Sequence, residues 1–264
     1  MEFERVNLDI NEDGVACLEF NHPEVLNAVG PRMLGGLRKA IGHVANRSNG
    51  VRSLLITGAG RGFCSGANLA GDGSNVSEEE GAGSSLRNGY HPLFFTLKDL
   101  HVPIVTAVNG AAAGVGMSFA LIGDIVCASK NAFFLQAFAR VGLVPDGGAT
   151  FLLPRLIGWG RAMELSLLAE RLPAEKAEEW GIVNRLYEDP AALKEGSMEI
   201  ATRLANGPAS LGLMRQLYWA SYQNSYESQI DMEARLQAAA GQTKDSGEGR
   251  QAFLEKRQPQ FSGE

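Results

Sequence analysis

The sequence predicts a layered α/β fold with a largely parallel sheet. Short apolar runs bounded by glycine or asparagine indicate buried strands, and segments with apolar residues at helical spacing lie between them. Strands and helices alternate in this way until about Pro173, after which the pattern is mostly helical. Because an alternating order places helices on the faces of a sheet, parallel strands covered by helices are favoured.

The first predicted unit is a strand, a helix and a second strand. The two strands cover residues 15–20 and 51–57. The helix between them begins at Pro31, a residue type suited to the first helical turn. The apolar residues at helical spacing in this helix are Met33, Leu34, Leu37, Ile41 and Val44.

The same order recurs further along the chain. Residues 104–108 and 124–128 have the composition of buried strands, and residues 114–122 form an apolar helix between them. One strand-like stretch, residues 182–187, interrupts the helical remainder. These elements complete the predicted sheet.

The chain has 264 residues, which is longer than the usual single domain. Hydrophobic residues make up 45% of the chain and charged residues 20%, which is ordinary for a packed core and argues against extensive disorder. We therefore predict an α/β core over residues 1–203 and a helical C-terminal region over residues 204–264.

Charge and cysteine usage exclude several classes of protein. The net charge of −6 and the lack of a block rich in lysine and arginine argue against a nucleic-acid partner. Cys17, Cys64 and Cys127 lie far apart without C-x-x-C spacing, so neither a disulfide framework nor a metal site is predicted, and a reducing cytoplasm is the expected location. The acidic N-terminus is unlike a signal peptide, and the longest apolar run, residues 111–126, is broken by glycines and Asp124, so no membrane span is predicted.

Three glycine-rich segments could carry chemistry. Residues 58–69 follow a strand and lack the spacing of a phosphate or dinucleotide loop, which leaves a tight turn or a close backbone approach to a ligand. Residues 109–118 open an apolar helix, whose first N–H groups could bind an oxyanion or simply allow close packing. Residues 141–150 contain a lone carboxylate, Asp146, that suits either a helix cap or catalysis.

A fourth segment, residues 71–89, is rich in Gly, Ser and Asn and includes the run Glu78-Glu79-Glu80. Its composition fits a solvated surface loop or a cover over an active site, and both interpretations stay open.

In combination and in this order, the three glycine-rich segments resemble those of the enoyl-CoA hydratase/isomerase, or crotonase, superfamily. The similarity extends over essentially the whole chain and includes residues 22–28, 124–126, 174–183 and 252–257. It implies a spiral of strand-strand-helix units that holds CoA and the active site, with a helical C-terminal region that assembles trimers or pairs of trimers. An acyl-CoA thioester is the implied substrate, so CoA enters as part of the substrate and no separate cofactor is expected.

The resemblance also assigns roles to residues. The backbone N–H groups of Ala67 and Val115 correspond to the pair that holds the thioester oxygen and stabilises an enolate. Many members of the family have glycine in place of Val115, which keeps the donor and changes the room for the acyl group. The residues implied to contact substrate or CoA are Ala67, Asn68, Leu69, Ala70, Gly114, Phe138, Phe253 and Lys256, the last two often across a subunit boundary.

The chain departs from the hydratase pattern at two positions. Hydratases of the family carry catalytic glutamates where this chain has Ser118 and Phe138. Asp146 remains, and its surroundings look most like those of ring-epoxide isomerases that act on phenylacetyl-CoA derivatives, which are also associated with Δ3,Δ2-enoyl-CoA isomerisation. One carboxylate suits such chemistry because it can remove a proton from one carbon and return it to another.

An apolar pocket is expected to raise the pKa of Asp146 by desolvation. The residues that suggest this pocket are Phe134, Phe138, Val144 and Phe151.

Several alternatives remain at this stage. Asp146 could act as a nucleophile, as in aryl-CoA dehalogenases of the superfamily, although those carry tryptophan in place of Phe138. A hydratase, and hence a lyase, with another base is a second possibility, and an acyl-CoA-binding protein without activity is a third. The sequence does not determine the identity of the acyl group. A role in fatty acid catabolism and a role in phenylacetate catabolism therefore both remain possible.

Overall fold

The computed structural model describes residues 1–68 and 81–264, and for Gly81 and Ala82 only the backbone. Two sheets and a set of helices account for most of this part of the chain. The strands are β1 (Glu2–Phe3), β2 (Val6–Ile10), β3 (Val15–Phe20), β4 (Ser53–Gly58), β5 (Gly62–Cys64), β6 (Ile104–Val108), β7 (Ala111–Ala113), β8 (Ile125–Ser129), β9 (Phe133–Leu135), β10 (Leu172–Pro173) and β11 (Arg185–Tyr187).

The helices become more frequent toward the C-terminus. A π-helical turn, Leu86–Tyr90, joins the second and third of them, and short 3₁₀ turns lie at Pro23–Val25, Arg47–Asn49 and Ala137–Val141. The α-helices are α1 (Pro31–Ala45), α2 (Gly81–Ser85), α3 (His91–Lys98), α4 (Val115–Leu121), α5 (Ala149–Ile157), α6 (Trp159–Leu168), α7 (Ala174–Trp180), α8 (Pro190–Ala205), α9 (Ser210–Ser221), α10 (Tyr226–Gly241) and α11 (Lys244–Glu255).

The larger sheet has seven strands in the order β1-β2-β3-β4-β6-β8-β11. Its first two pairings are antiparallel, and every pairing from β3 to β11 is parallel. The predicted largely parallel sheet is therefore confirmed. The smaller sheet has the order β10-β9-β7-β5, with parallel pairs from β5 to β9.

Alternation of side chains along the parallel strands divides the core into two layers. Leu54 and Ile56 of β4 face the main core, which α1 and α4 share, whereas Leu55 faces a second cluster. Leu193 and Ala201 of α8 complete that second cluster on the opposite face of the sheet. Both faces of the central strands are thus buried, which explains why they appear in the sequence as continuous apolar runs.

The long elements lie where the sequence predicts them. Strands β3 and β6 have the predicted bounds, and α1 begins at Pro31 as expected. Strand β2 was missed although its sequence alternates between apolar and polar residues, and β5, β7 and β9 were missed because three residues carry too little periodic signal.

The last three helices bury little of their own surface, and one arginine anchors them to the core. Arg215 of α9 is 6% exposed and forms an ion pair with Asp124 at 2.5 Å. Its guanidinium also donates to the carbonyl groups of Leu97, Lys98 and Leu100 at the end of α3. None of the helices in the described part of the chain is long and apolar enough to cross a membrane.

Candidate active site

Two glycine-rich loops meet at Gly66 and Gly114, which follow β5 and β7 respectively. Gly66 has a φ of +107° and Gly114 a φ of +54°, backbone conformations that favour glycine. A Cβ atom on Gly66 would lie 3.0 Å from the carbonyl oxygen of Ala113 and 3.8 Å from the Cα atom of Gly114. The two backbones therefore approach closely, and the residues that follow, Ala67 and Val115, are held near each other.

The N–H group of Ala67 faces away from the neighbouring segment, which contains Val29. Val29 donates to the carbonyl of Gly66 at 2.8 Å and accepts from the N–H of Asn68 at 3.0 Å. This parallel bridge between Val29 and Ala67 leaves the polar groups of Ala67 itself on the opposite side. Ala67 is exposed, so its N–H is accessible to a ligand.

The N–H group of Val115 is available for a different reason. Val115 is the first residue of α4, and the N–H groups of a first helical turn have no partner within the helix. Gly114, one residue earlier, donates to the carbonyl of Leu135 at 2.9 Å, which fixes the start of the helix. In residues 1–68 and 81–264 neither Ala67 nor Val115 donates a backbone hydrogen bond, so a carbonyl oxygen could accept from both.

Two buried amides hold the first glycine-rich loop in place. The Nδ2 atom of Asn27 donates to the carbonyl groups of Ala59 and Gly62 at 3.0 and 2.8 Å. The Nδ2 atom of Asn109 donates to the carbonyl groups of Gly58 and Gly60, both at 2.9 Å. The sequence placed both asparagines within the family pattern but did not indicate this role, because their partners lie more than thirty positions away.

Asp146 lies at the end of a loop beside the buried face of α4. One carboxylate oxygen, Oδ1, is buried and has no hydrogen-bond partner among the described residues. Burial raises the pKa of Asp146 to about 6, as predicted. A carboxylate with this pKa is ionised at neutral pH and poorly solvated, which makes it a better base than a surface aspartate.

Ser118 positions the backbone of Asp146. It is fully buried in α4, and its Oγ atom donates to the carbonyl oxygen of Asp146 at 2.9 Å. The next residue, Gly147, has no room for a side chain, because a Cβ atom would lie 2.6 Å from the Cβ of Ser118 and 2.9 Å from the ring of Phe94. The residue that replaces a hydratase glutamate thus supports the aspartate loop.

Phe138 occupies the other position at which hydratases carry a glutamate. The side chain is 7% exposed, and its Cζ atom lies 3.9 Å from where a Cβ atom of Gly114 would be. An apolar ring therefore borders the Gly114–Val115 backbone. Neither Phe138 nor Ser118 can serve as a base.

The predicted apolar surroundings of Asp146 are only partly correct. Val144 is 79% exposed, so the expectation that it lines a pocket is wrong: the loop turns its side chain toward solvent. Phe134 is fully buried within β9, and Phe151 packs against Trp219 and Tyr222 of the C-terminal helices.

The remaining predicted contact residues are distributed unevenly. Asn68 follows the bridge residue Ala67, whereas Leu69 and Ala70 lie outside the described residues. Residues 71–80 of the predicted loop also lie outside them, and for residues 81–89 the loop prediction is wrong, because α2 and the π-helical turn occupy them. Phe253 is 82% exposed and, in a single chain, borders a cavity of about 670 Å³ formed by α9, α10, α11 and the C-terminal tail. Lys256 ends α11 and is exposed. One chain alone therefore does not bring Phe253 and Lys256 to the glycine-rich loops.

The described residues do not form a cluster of side chains that would support metal chemistry. The described residues contain no group of three or more His, Cys, Asp or Glu side chains that could hold a metal ion. Burial raises the pKa of Cys64 to about 12, so this thiol beside the first loop stays protonated and is a weak nucleophile.

The two sheets, the helical C-terminus and the paired N–H donors define a crotonase-type enzyme fold. The chain belongs to the enoyl-CoA hydratase/isomerase family, whose model matches residues 10–264. Enzymes of this family act on acyl-CoA thioesters.

Individual relatives carry names from both halves of the family. The chain is 43% identical to 1,2-epoxyphenylacetyl-CoA isomerase of Escherichia coli (strain K12) over 256 residues, 96% of each chain. It is 40% identical to a protein named "probable enoyl-CoA hydratase" of Rhodobacter capsulatus over 265 residues, the full length of both. The crystal structure of enoyl-CoA hydratase from Bacillus anthracis superposes with a TM-score of 0.89 at 29% identity, covering 98% of this chain and 100% of that one.

Proposed function

We propose that this chain is an acyl-CoA isomerase that stabilises a thioester enolate and moves a proton with Asp146. The observation that carries the proposal is the half-buried carboxylate with an unpartnered oxygen and a pKa raised to about 6, next to a site whose two hydratase positions hold Ser118 and Phe138. Among the described residues, a single candidate base, with Ser118 and Phe138 at the two hydratase positions, favours proton transfer over the addition of water.

The proposed reaction uses the two halves of the site in sequence. The thioester oxygen accepts hydrogen bonds from the N–H groups of Ala67 and Val115. The Asp146 carboxylate removes a proton from the carbon next to that carbonyl, and the electron pair of the C–H bond becomes the enolate, with negative charge on the oxygen. The same carboxyl group then returns the proton to a different carbon, so the double bond or ring bond is rearranged without gain or loss of atoms.

The substrate is an acyl-CoA thioester, with enoyl and ring-epoxide aryl-acetyl groups as the two candidate classes. The name of the Escherichia coli relative supports the aryl-acetyl class. CoA belongs to the substrate, so the proposed reaction needs no separate cofactor. We further propose a homotrimer or a dimer of trimers, in which Phe253 and Lys256 reach the CoA of a neighbouring subunit. In this arrangement residues 1–203 supply the active site and residues 204–264 the assembly surface, and a cytoplasmic location stays a prediction.

The decisive experiment is incubation with 3-enoyl, 2-enoyl and aryl-acetyl thioesters in deuterated water, with products identified by mass. Migration of the double bond, or exchange at the acyl carbons without a water adduct, is expected. Asp146→Asn is expected to lower this activity by on the order of 10²-fold or more, because an amide cannot accept the proton. Asp189→Asn is the matched control, since Asp189 caps α8 at an exposed position and asparagine caps equally well.

The other outcomes distinguish the alternatives. A hydroxyacyl product identifies a hydratase with another base. Release of halide from a halogenated aryl-CoA identifies nucleophilic use of Asp146. Binding without any exchange identifies a protein that retains the fold but not the chemistry. An Asp146→Asn enzyme with nearly full isomerase activity contradicts the proposal directly.

A further inference from the structure

We propose that Tyr90 is a positioning residue for the oxyanion hole, acting through the carbonyl group of Val29. The inference rests on the proposed function only in that the N–H of Ala67 holds the thioester oxygen. Nothing in the sequence distinguishes Tyr90, which directly follows the predicted loop at residues 71–89.

The phenol group of Tyr90 reaches the bridge between Val29 and Ala67. Its Oη atom donates to the carbonyl oxygen of Val29 at 3.2 Å, and both residues are buried, with exposed fractions of 6% and 2%. The same carbonyl accepts from the N–H of Asn68, and the N–H of Val29 donates to the carbonyl of Gly66. Val29 therefore holds the residues on either side of Ala67, and Tyr90 holds Val29.

The position of Tyr90 in the chain connects the two halves of the site. Tyr90 is the last residue of the π-helical turn Leu86–Tyr90, and α3 follows directly. One turn further on, Phe94 of α3 packs against Gly147 beside Asp146. Residues 90–94 thus contact the bridge beside Ala67 through the hydroxyl group of Tyr90, and the loop that contains Asp146 through the ring of Phe94. Short π-helical turns often occur at functional sites.

The hydroxyl group of Tyr90 keeps the proton that it donates in the hydrogen bond to Val29. Burial, and then the nearby Cys64 and Asp146 groups, raise the pKa of Tyr90 well above its ordinary value. The phenol stays protonated over the working pH range, so its hydrogen bond to Val29 does not depend on pH. Without this bond the Val29 carbonyl loses one of its two partners among the described residues, and the bridge that orients the N–H of Ala67 is less well fixed.

Orientation matters because an oxyanion-hole donor acts only at a distance of about 2.7–3.1 Å from the developing charge. Loss of one complete donor costs on the order of 10² to 10³ in rate, so a donor that is loosened rather than removed is expected to cost about tenfold in kcat/KM. The loss is expected mainly in kcat, because the donor bonds more strongly to the enolate than to the bound thioester.

The test measures polarisation of the bound thioester in a protein that cannot turn over. Asp146→Asn is the parent, and the probe is an acyl-CoA with ¹³C at the thioester carbonyl, observed by difference infrared spectroscopy. The parent is expected to shift the carbonyl stretch to lower frequency on binding, and Tyr90→Phe in that background to lose a measurable part of the shift. Circular dichroism checks that the fold is kept, which is expected because the aromatic ring remains.

The control is Tyr187→Phe in the same background. Tyr187 is partly buried and packs with the cluster that contains Cys127 on the α8 side of the large sheet, away from the glycine-rich loops. This variant is expected to keep the full shift. A full shift in Tyr90→Phe overturns the role of Tyr90. A parent that binds the thioester without any shift overturns the oxyanion hole and Tyr90 together. The measurement does not depend on whether Asp146 is the catalytic base, because every variant in this test carries Asp146→Asn.

Discussion

The two halves of the candidate site differ in the groups that form them: backbone N–H groups form one half and side chains the other. The backbone half consists of Ala67 and Val115, whose N–H groups are held by contact between Gly66 and Gly114. The side-chain half consists of Asp146 with Ser118 and Phe138. In the backbone half the donor is the same for any amino acid except proline, so the identity of the side chain matters little. In the proposed mechanism the three residues of the side-chain half decide which reaction is possible.

This difference separates activation from the choice of reaction. A polarised thioester is the shared requirement of enolate chemistry, and the fold supplies it through loops that need glycine at a few positions. The fate of the enolate depends on which bases surround it. Under the proposed function, this chain differs from a hydratase in the side-chain half, at Ser118 and Phe138, and keeps the same backbone half.

The largest expected effect comes from a side chain added to the backbone half. A Cβ atom at Gly116 would lie 2.0 Å from the carbonyl oxygen of Cys64, so Gly116→Ala must push α4, and Val115 with it, away from β5. We expect kcat/KM to fall by on the order of 10²-fold or more and the free energy of unfolding to fall by about 1–3 kcal/mol. Enzyme kinetics and urea unfolding measure the two losses.

Gly42→Ala is the control for this change. Gly42 lies in α1 with open space around its Cα atom, and alanine favours a helix by up to about 1 kcal/mol, so unchanged activity and equal or greater stability are expected. Full activity in Gly116→Ala would show that the backbone half is not a rigid unit. The distinction drawn between the backbone half and the side-chain half would then not hold.

A smaller effect is expected from Ser118→Ala in the side-chain half. The change removes the hydrogen bond to the Asp146 carbonyl and leaves the glycine contact untouched. We expect a loss of about 1 kcal/mol in the free energy of unfolding and of about tenfold in kcat, with the carbonyl shift of a bound thioester unchanged.

Ser221→Ala is the matched control, because the Oγ atom of Ser221 donates to a backbone carbonyl at an exposed position of α9. It is expected to keep full activity. If Ser118→Ala instead reduces the carbonyl shift, the two halves are coupled and the separation proposed above is too simple.

The last expected effect is a gain in stability without a change in the backbone half. The pKa of Asp146 is raised in the folded chain to about 6 from 3.8, so the folded state binds the proton more tightly than the unfolded state. The charged carboxylate therefore destabilises the fold increasingly as the pH rises from about 3.8 to 6, and by a constant amount above that range. After allowance for solvent screening of a partly exposed group, Asp146→Asn is expected to stabilise the protein by about 1–2 kcal/mol at pH 8.

Urea unfolding at several pH values checks this sign. The gain of Asp146→Asn over the parent chain is expected to shrink as the pH falls through 6 and to vanish near pH 4. A gain that stays constant with pH would mean that burial of the charge is not its cause.

How much of the site the sequence predicted depends on the kind of contact. The family resemblance assigned roles to Ala67, Val115 and Asp146 through motifs that lie within a few residues of each, and these roles stay predictions. The direction of the pKa shift of Asp146 was predicted correctly, and its cause is burial. The support given by Asn27, Asn109 and Tyr90 was not predicted, because each acts on a partner distant in the sequence. Val144 was assigned to the pocket although its side chain is exposed, since composition does not say which way a loop residue points.

By itself the sequence determined the α/β class, the long strands and helices, the family and the absence of glutamates at the two hydratase positions. These properties depend on local periodicity or on residue identity, and both are visible in the order of amino acids. Only the tertiary structure decided that Gly66 meets Gly114, that Ser118 holds Asp146 and that Tyr90 reaches Val29. Each of these contacts joins segments separated by dozens of residues, and their geometry follows from how the two sheets and α4 pack together.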